Sequence, residues 1–218
     1  MSKKNISQER IIQSFLASAF DKSAGATSLS DVADSLEIKK ASLYNHFENR
    51  DEMYSATIEA CAKEIGSVSF LQDKTLENLK NGKSNFTTVL KKLITRYFNL
   101  FENEPLFHMY VFTHTEQYFN LSAADIVKNQ ADKMSDEIKK MLDAFSEFGK
   151  LEKKSDKELK DYASALSSVI LQQLDAYISI RKETVRQNPE AGSGSLFSLP
   201  TDTATLNRTL KVVEILVK

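Results

Sequence analysis

The sequence predicts an all-α fold: an N-terminal three-helix domain of helix-turn-helix type, followed by a larger helical domain. Three observations predict it. Only six glycines and three prolines occur in 218 residues, and they cluster near breaks between apolar-periodic stretches, so the closely spaced turns of an all-β chain have no source. Apolar residues recur near a period of 3.6 along most of the chain. One stretch, residues 27–54, holds two short helical patterns about four residues apart, then Leu43-Tyr44-Asn45-His46-Phe47 and a fresh helix start.

Residues 1–7 form a polar arm carrying Lys3 and Lys4, either a solvated tail or an arm touching phosphates. A helix over residues 8–21 places Ile12, Phe15, Leu16, Ala19 and Phe20 on one side, and Gly25 supplies a left-handed turn to end it. In the next pattern Leu29, Val32, Ala33 and Leu36 fall at i, i+3, i+4 and i+7, one packed face; Ser28 or Ser30 supplies the N-cap. After it, Leu43 and Phe47 face the same core. At 100° per residue this leaves Ala41, Ser42, Tyr44 and Asn45 outward, with Lys39, Lys40 and His46 at the margins.

That outward set suits the major groove. Ala41 and Ser42 let the backbone approach base edges, Asn45 can pair with adenine N6 and N7, and Lys39, Lys40 and His46 can reach phosphates. Asn49 and Glu52 form a capping box for the next helix, which runs to about residue 65 through Met53, Thr57, Ile58, Cys61 and Ile65. Its free N–H groups and Arg50 can hold a further phosphate. Its far end is expected to leave the domain and act as a lever. Ser28 completes the DNA-binding candidates.

Residues 10–54 resemble the DNA-binding domain of the TetR family of bacterial transcriptional regulators, over about a quarter of the chain. The matching positions are Arg10, Ile12 and Phe20, Gly25 before Thr27-Ser28, Val32-Ala33, Ile38, and Leu43-Tyr44 with His46-Phe47; the last block is the most specific. Glu37 stands where that family usually has a turn glycine, Leu36 where it has alanine, and Lys39 where a serine commonly caps the recognition helix. These departures bear on the cap and turn geometry, not on the fold.

The remaining chain reads as helices of a second domain. Residues 66–82 are a weaker region with a short helix around 71–79. Residues 84–103 form a strong helix with Phe86, Leu90, Leu93, Ile94, Tyr97, Phe98 and Phe101 inward, ended by Pro105. Residues 106–119 are unusually aromatic. Residues 123–148 form a long amphipathic helix carrying Ile126, Val127, Met134, Ile138, Met141, Leu142 and Phe145, stopped by Gly149. Residues 156–181 follow as another helix, then a loop of roughly 20 residues with two of the three prolines, then a helix over 203–218. That last helix is apolar almost all round, so burial on two sides is expected. Pairing 156–181 and 203–218 with the same helices of a second subunit gives a four-helix homodimer interface.

These aromatic and methionine side chains fit a close-packed core or a roomy apolar cavity equally well. The family resemblance implies a small-molecule effector bound in the larger domain, with Phe86, Tyr97, Phe101, Tyr110, Phe112, Met134, Met141 and Tyr177 as lining candidates. The domain boundary is placed at 54/55, giving a DNA-binding domain over 1–54 and an effector-binding and dimerisation domain over 55–218.

Composition narrows the function. Residues 1–55 hold seven Lys or Arg against eight Asp or Glu, within a chain of net charge −1, so any DNA binding must rest on local charge and specific contacts. The single cysteine, Cys61, excludes an intrachain disulfide and reads as a small core residue. No apolar run suits a signal peptide or a membrane span, and a cytoplasmic protein with no membrane partner is expected. His46 belongs to the DNA motif, and His108 and His114 are six apart and share no helical face. No metal signature, phosphate loop or serine elbow occurs, so no catalytic residues, metal or cofactor are expected. The reading is a dimeric regulator, a repressor released from a palindromic operator by an apolar small molecule. The alternative is a helical carrier or sensor of apolar ligands without sequence-specific DNA binding.

Overall fold

A computed structural model describes residues 6–81, 85–152, 154–188 and 199–216. The arm residues Lys3 and Lys4, most of the loop before the last helix, and Val217 lie outside them. Among the described residues the regular structure is helical: α1 Gln8–Lys22, α2 Leu29–Ser35, a 3-10 helix Lys40–Asn45, α3 Arg50–Ser67, α4 Asp73–Asn81, α5 Phe86–Phe101, α6 Leu106–Glu116, α7 Leu121–Glu147, α8 Asp156–Gln187 and α9 Thr203–Leu216.

The chain divides into two compact units. The first is Met1–Ser67 with Glu104–Val127, the second Val68–Asn103 with Lys128–Lys218. The first unit therefore takes in more than residues 1–54. All of α3 and α6 belong to it, and α3 does not leave it before Ser67, contrary to the expected lever. The reason is aromatic: α6 brings Phe107 and Phe112 to α1 and α3. Phe15, fully buried, meets the edges of Tyr54 at 6.4 Å and Phe112 at 6.0 Å. Phe20 packs on Phe107 at 5.2 Å. Tyr54 donates from its hydroxyl to Glu116 Oε2 at 2.7 Å. Such edge-to-face pairs add about 0.5–1.5 kcal/mol each to area burial.

Several local expectations change. Ile11, not Ile12, is the fully buried isoleucine of α1. The helix ends at Ser23, whose φ of 78° takes the positive turn assigned to Gly25. Tyr118 and Phe119 are exposed at 81% and 83%, because α6 stops at Glu116 and the following turn carries them outside the core. Cys61 is buried, and desolvation pushes its thiol up to about 12, which keeps it an inert core residue. Gly149 has φ +64° and closes the end of α7 as expected.

In the second unit α5 packs against α8 and α9. Phe98 lies on Tyr177 at 5.2 Å, and Phe86 meets Phe145 edge-on at 5.4 Å. Two buried carboxylates fasten the connections. Glu137 accepts the backbone N–H groups of Phe70 at 2.6 Å and Leu71 at 3.0 Å, while Arg96 donates to the carbonyls of Ser69 and Phe70. Glu102 accepts from Tyr177 and from Thr201, and Arg181 donates to the carbonyls of Leu199 and Pro200. α8 runs six residues beyond the expected end at 181, to Gln187.

Candidate nucleic-acid interface

The site is built from the connection between two short helices. Ser28 caps α2: its hydroxyl accepts from Asp31 N at 3.2 Å, and Asp31 Oδ2 accepts from Ser28 N at 2.7 Å, a reciprocal box that satisfies two otherwise orphaned donors. Lys22 reaches Asp31 at 2.5 Å. That hydrogen bond, then those from Ser28, hold the Asp31 carboxyl well below the usual carboxylate range. The stabilising effect is present above the ordinary value and is lost as pH falls through the depressed one. Ser28 is thus a cap first, a role that leaves its place at the α2 entrance unchanged.

α2 closes in a Schellman motif. Ile38 N donates to Ala33 O at 3.0 Å and Glu37 N to Asp34 O at 3.0 Å, with Glu37 at φ 56°. A residue with a Cβ disfavours this conformation by roughly 1–2 kcal/mol, partly offset by the entropy of glycine in the unfolded chain. Glu37→Gly is therefore expected to raise stability by about 0.5–1 kcal/mol, measured by denaturant unfolding; a loss instead shows that the Glu37 side chain contributes more than its backbone costs.

The candidate recognition element is a 3-10 helix, Lys40–Asn45, not the α-helical turn expected. Lys39 at its N-cap is extended and makes no side-chain capping bond, and six residues are too few to nucleate an α-helix without a cap. Leu43 and Phe47, 1% and 4% exposed, anchor it. Gln8 Nε2 donates to His46 O at 3.0 Å, tying its end to α1. Residues three apart eclipse in this geometry, so Ala41 aligns with Tyr44 and Ser42 with Asn45. Lys39, Lys40, Ala41, Tyr44 and Asn45 are exposed, with Ser42 and His46 half-buried.

Arg50 does not join it. Its Nε donates to Thr27 O at 2.9 Å, its terminal nitrogen donates to Ala24 O, and its guanidinium lies 5.8 Å from the Phe15 ring centre. The expected phosphate ligand is a brace between the α1–α2 connection and the start of α3. At that start Asn49 caps Glu52 N at 2.9 Å as expected, but Glu52 reaches back to Glu48 N, not Asn49 N.

The eight effector candidates are divided between the two units. Tyr110 and Phe112 belong to the first unit, where Phe112 serves the packing of Phe15. Tyr97, Phe101, Met134, Met141 and Tyr177 are buried in the second, with Tyr97 against Phe101 at 4.9 Å and its hydroxyl bonded to Gln130 at 3.0 Å. Of the eight, Phe86 alone lines a cleft of about 600 Å³, whose other walls include Leu142, Leu159 and Tyr162. Sequence reasoning placed Leu142, Leu159 and Tyr162 on the apolar stripes of their helices and not in a cleft; the Ser155–Glu158 capping box that sets the start of α8 was the available signal. His108 lies 3.0 Å from Glu104, and His114 stacks on Tyr110 at 3.8 Å. No three His, Cys, Asp or Glu among the described residues are grouped to hold a metal, and no described helix is long and apolar enough to cross a membrane.

Comparison with known proteins places this geometry. Residues 16–57 match the family model of bacterial regulatory proteins, tetR family. The biofilm operon icaADBC HTH-type negative transcriptional regulator IcaR of Staphylococcus epidermidis is 37% identical over 54 residues, 25% of this chain and 29% of that protein. Its Staphylococcus aureus (strain Newman) counterpart is 26% identical over 139 residues, 62% of this chain and 69% of the relative. The fold matches FadR from Bacillus subtilis in complex with stearoyl-CoA at TM-score 0.55 and 13% identity, covering 95% of this chain and 97% of that one.

Proposed function

We propose that this chain, which belongs to the TetR family of bacterial regulatory proteins, is a transcriptional repressor that binds a palindromic operator as a homodimer and is released by a small apolar molecule. The observation that carries the reading is the exposed row Lys39, Lys40, Ala41, Tyr44 and Asn45 over the buried anchors Leu43 and Phe47. A short element anchored on one side and bearing an amide, a phenol and two cations on the other can enter a major groove and contact bases and phosphates together. The matched relatives support the sign of control, since IcaR is a negative regulator by its name. FadR, a transcriptional regulator in complex with stearoyl-CoA, supports an effector with a long apolar portion on this fold. A coupling of about 1–3 kcal/mol between effector and operator changes affinity about 5- to 150-fold.

Dimerisation is assigned to α8 and α9. Ala165, Ser168, Gln172, Ala176 and Ser179 are exposed on α8 at spacings of three and four, a row of mostly small residues along which a second helix can approach closely. On α9, Leu206 and Val213 face inward while Ile215 is 74% exposed. Two recognition elements related by a two-fold axis read half-sites about 34 Å apart. Ala176→Arg is expected to raise the dimer dissociation constant at least about 30-fold, roughly 2 kcal/mol, by burying an unpaired cation, and to weaken operator binding with it. Sedimentation velocity reads the first effect. An unchanged dimer moves the interface elsewhere.

A further inference from the structure

The 3-10 helix Lys40–Asn45 has little of its own to hold its orientation. Lys39 gives it no side-chain cap, and the hydrogen bonds of a 3-10 turn are poorer than those of an α-helix. Leu43 and Phe47 are buried and fix its depth, but apolar burial is non-directional and does not by itself fix rotation about the element's axis. Rotation matters, because a base-reading amide has to be held within about 0.5 Å and roughly 20° of its productive aim. The end of the element is closed by two sets of bonds. Leu43 O accepts from His46 N at 2.9 Å and from Phe47 N at 3.1 Å. His46 O, in the residue that follows Asn45, accepts from Gln8 Nε2 at 3.0 Å.

Gln8 is itself firmly placed. It is the first residue of α1, and Gln8, Ile11 and Phe15 fall at i, i+3 and i+7 on a stripe whose other two members are fully buried. Ser7 caps the helix by accepting from Arg10 N at 3.3 Å. Ile6 and Ile11, both buried, occupy the two positions of a hydrophobic staple around that cap. Further along, the Ser14 hydroxyl donates to Val32 O at 3.3 Å and meets the Ser35 hydroxyl. α1 therefore holds α2 by its middle and the end of the 3-10 helix by its first residue.

We infer that Gln8 is a positioning residue for DNA reading: by holding the His46 carbonyl it sets the aim of Asn45 and Tyr44. The inference rests on the proposed DNA-reading surface and adds to it a residue from outside the helix-turn-helix stretch. Its physical content is preorganisation. Without the bond His46 O turns to water, the last turn samples several orientations in the free protein, and binding has to select one of them. That loss falls on base contacts, which need one orientation. It spares the phosphate contacts of Lys39 and Lys40, whose long side chains re-aim freely. An uncharged residue releases no counterion, so the salt dependence of binding does not depend on Gln8.

The test compares the full-length parent with Gln8→Ala, Gln8→Met and Asn45→Ala. Each is titrated with the duplex that the parent selects from a random library and with a scrambled duplex of the same length. Both Gln8 variants lack the donor and alter an exposed side chain, and methionine keeps the length of glutamine, so both are expected to fold. They should bind the selected duplex about fivefold more weakly at each half-site and the scrambled duplex within about twofold of the parent, with an unchanged salt slope. In the free variants, amide hydrogen exchange should quicken over residues 43–47 and stay as in the parent over residues 11–20 and 32–33. Full retention of affinity for the selected duplex overturns the role. Equal loss on both duplexes makes Gln8 a direct contact to the DNA backbone instead, and quickened exchange throughout α1 and α2 makes it a plain stability residue. If Asn45→Ala also binds as the parent does, the reading surface itself falls and the role of Gln8 with it. Loss in Asn45→Ala with none in the Gln8 variants removes the role of Gln8 alone.

Discussion

Replacing Asn45 by alanine is expected to weaken operator binding by about 1–3 kcal/mol at each half-site and to relax base preference at one operator position. Asn45 is exposed on the 3-10 helix, aligned with Ser42 and next to Tyr44, which is 51% exposed. Its amide offers a donor and an acceptor on one edge, the pairing that adenine presents in the major groove. Truncation leaves the base edge unpaired after both surfaces have been dried, so the loss exceeds that of an ordinary surface contact. Lys40→Ala makes the informative contrast. A lysine on a phosphate carries no sequence information, so this variant should bind all sequences more weakly and lower the salt dependence by about one counterion. Both side chains are exposed, and circular dichroism should show unchanged helix content. If both variants bind as the parent does, this surface is not the one that reads DNA.

The second large effect concerns stability. Glu137→Ala is expected to destabilise the second unit by about 3–5 kcal/mol in denaturant unfolding. Glu137 is 9% exposed, and one carboxylate oxygen receives two backbone N–H groups, those of Phe70 and Leu71. Alanine leaves both donors buried without an acceptor. It also removes a negative charge that acts on Arg96, whose guanidinium is held below its ordinary value chiefly by burial, with the charge of Glu137 opposing that shift. Glu137→Gln keeps a carbonyl acceptor and should cost about 1–2 kcal/mol. A cost below about 0.5 kcal/mol for the alanine variant places it among ordinary surface substitutions and contradicts the clip described for residues 69–71.

Helix positions were legible where apolar periodicity was long, as in α5 and α7, and where a cap was written plainly, as Asn49 before Glu52 and Ser28 before Asp31. The recognition element was legible as a set of exposed residues but not as a 3-10 helix, because the choice between 100° and 120° per residue depends on the missing side-chain cap at Lys39. Arg50 was misread for a different reason. A cation near a helix start reads as a phosphate ligand, and only the fold reveals that the carbonyls of Ala24 and Thr27 converge on it. Aromatic content did not separate core from cavity. Phe112 and Tyr97 have the same composition signal, yet one packs on α1 in the first unit and the other on α5 and Gln130 in the second. The cleft beside Phe86 was invisible to periodicity because its walls come from separate helices. The first unit's reach to Val127 was likewise hidden, since nothing local in residues 106–119 says that Phe107 and Phe112 complete the packing of α1 and α3 while Tyr118 and Phe119 stay outside it.

The most direct measurement of the central claim is selection of bound duplexes from a random DNA library by the purified protein at moderate salt, alongside the Asn45→Ala variant. The account predicts a palindrome with half-sites one helical turn or a multiple apart, and loss of preference at one position of each half-site in the variant. Recovery of no motif by a protein verified as a folded dimer contradicts it, and leaves a helical ligand-binding protein in its place.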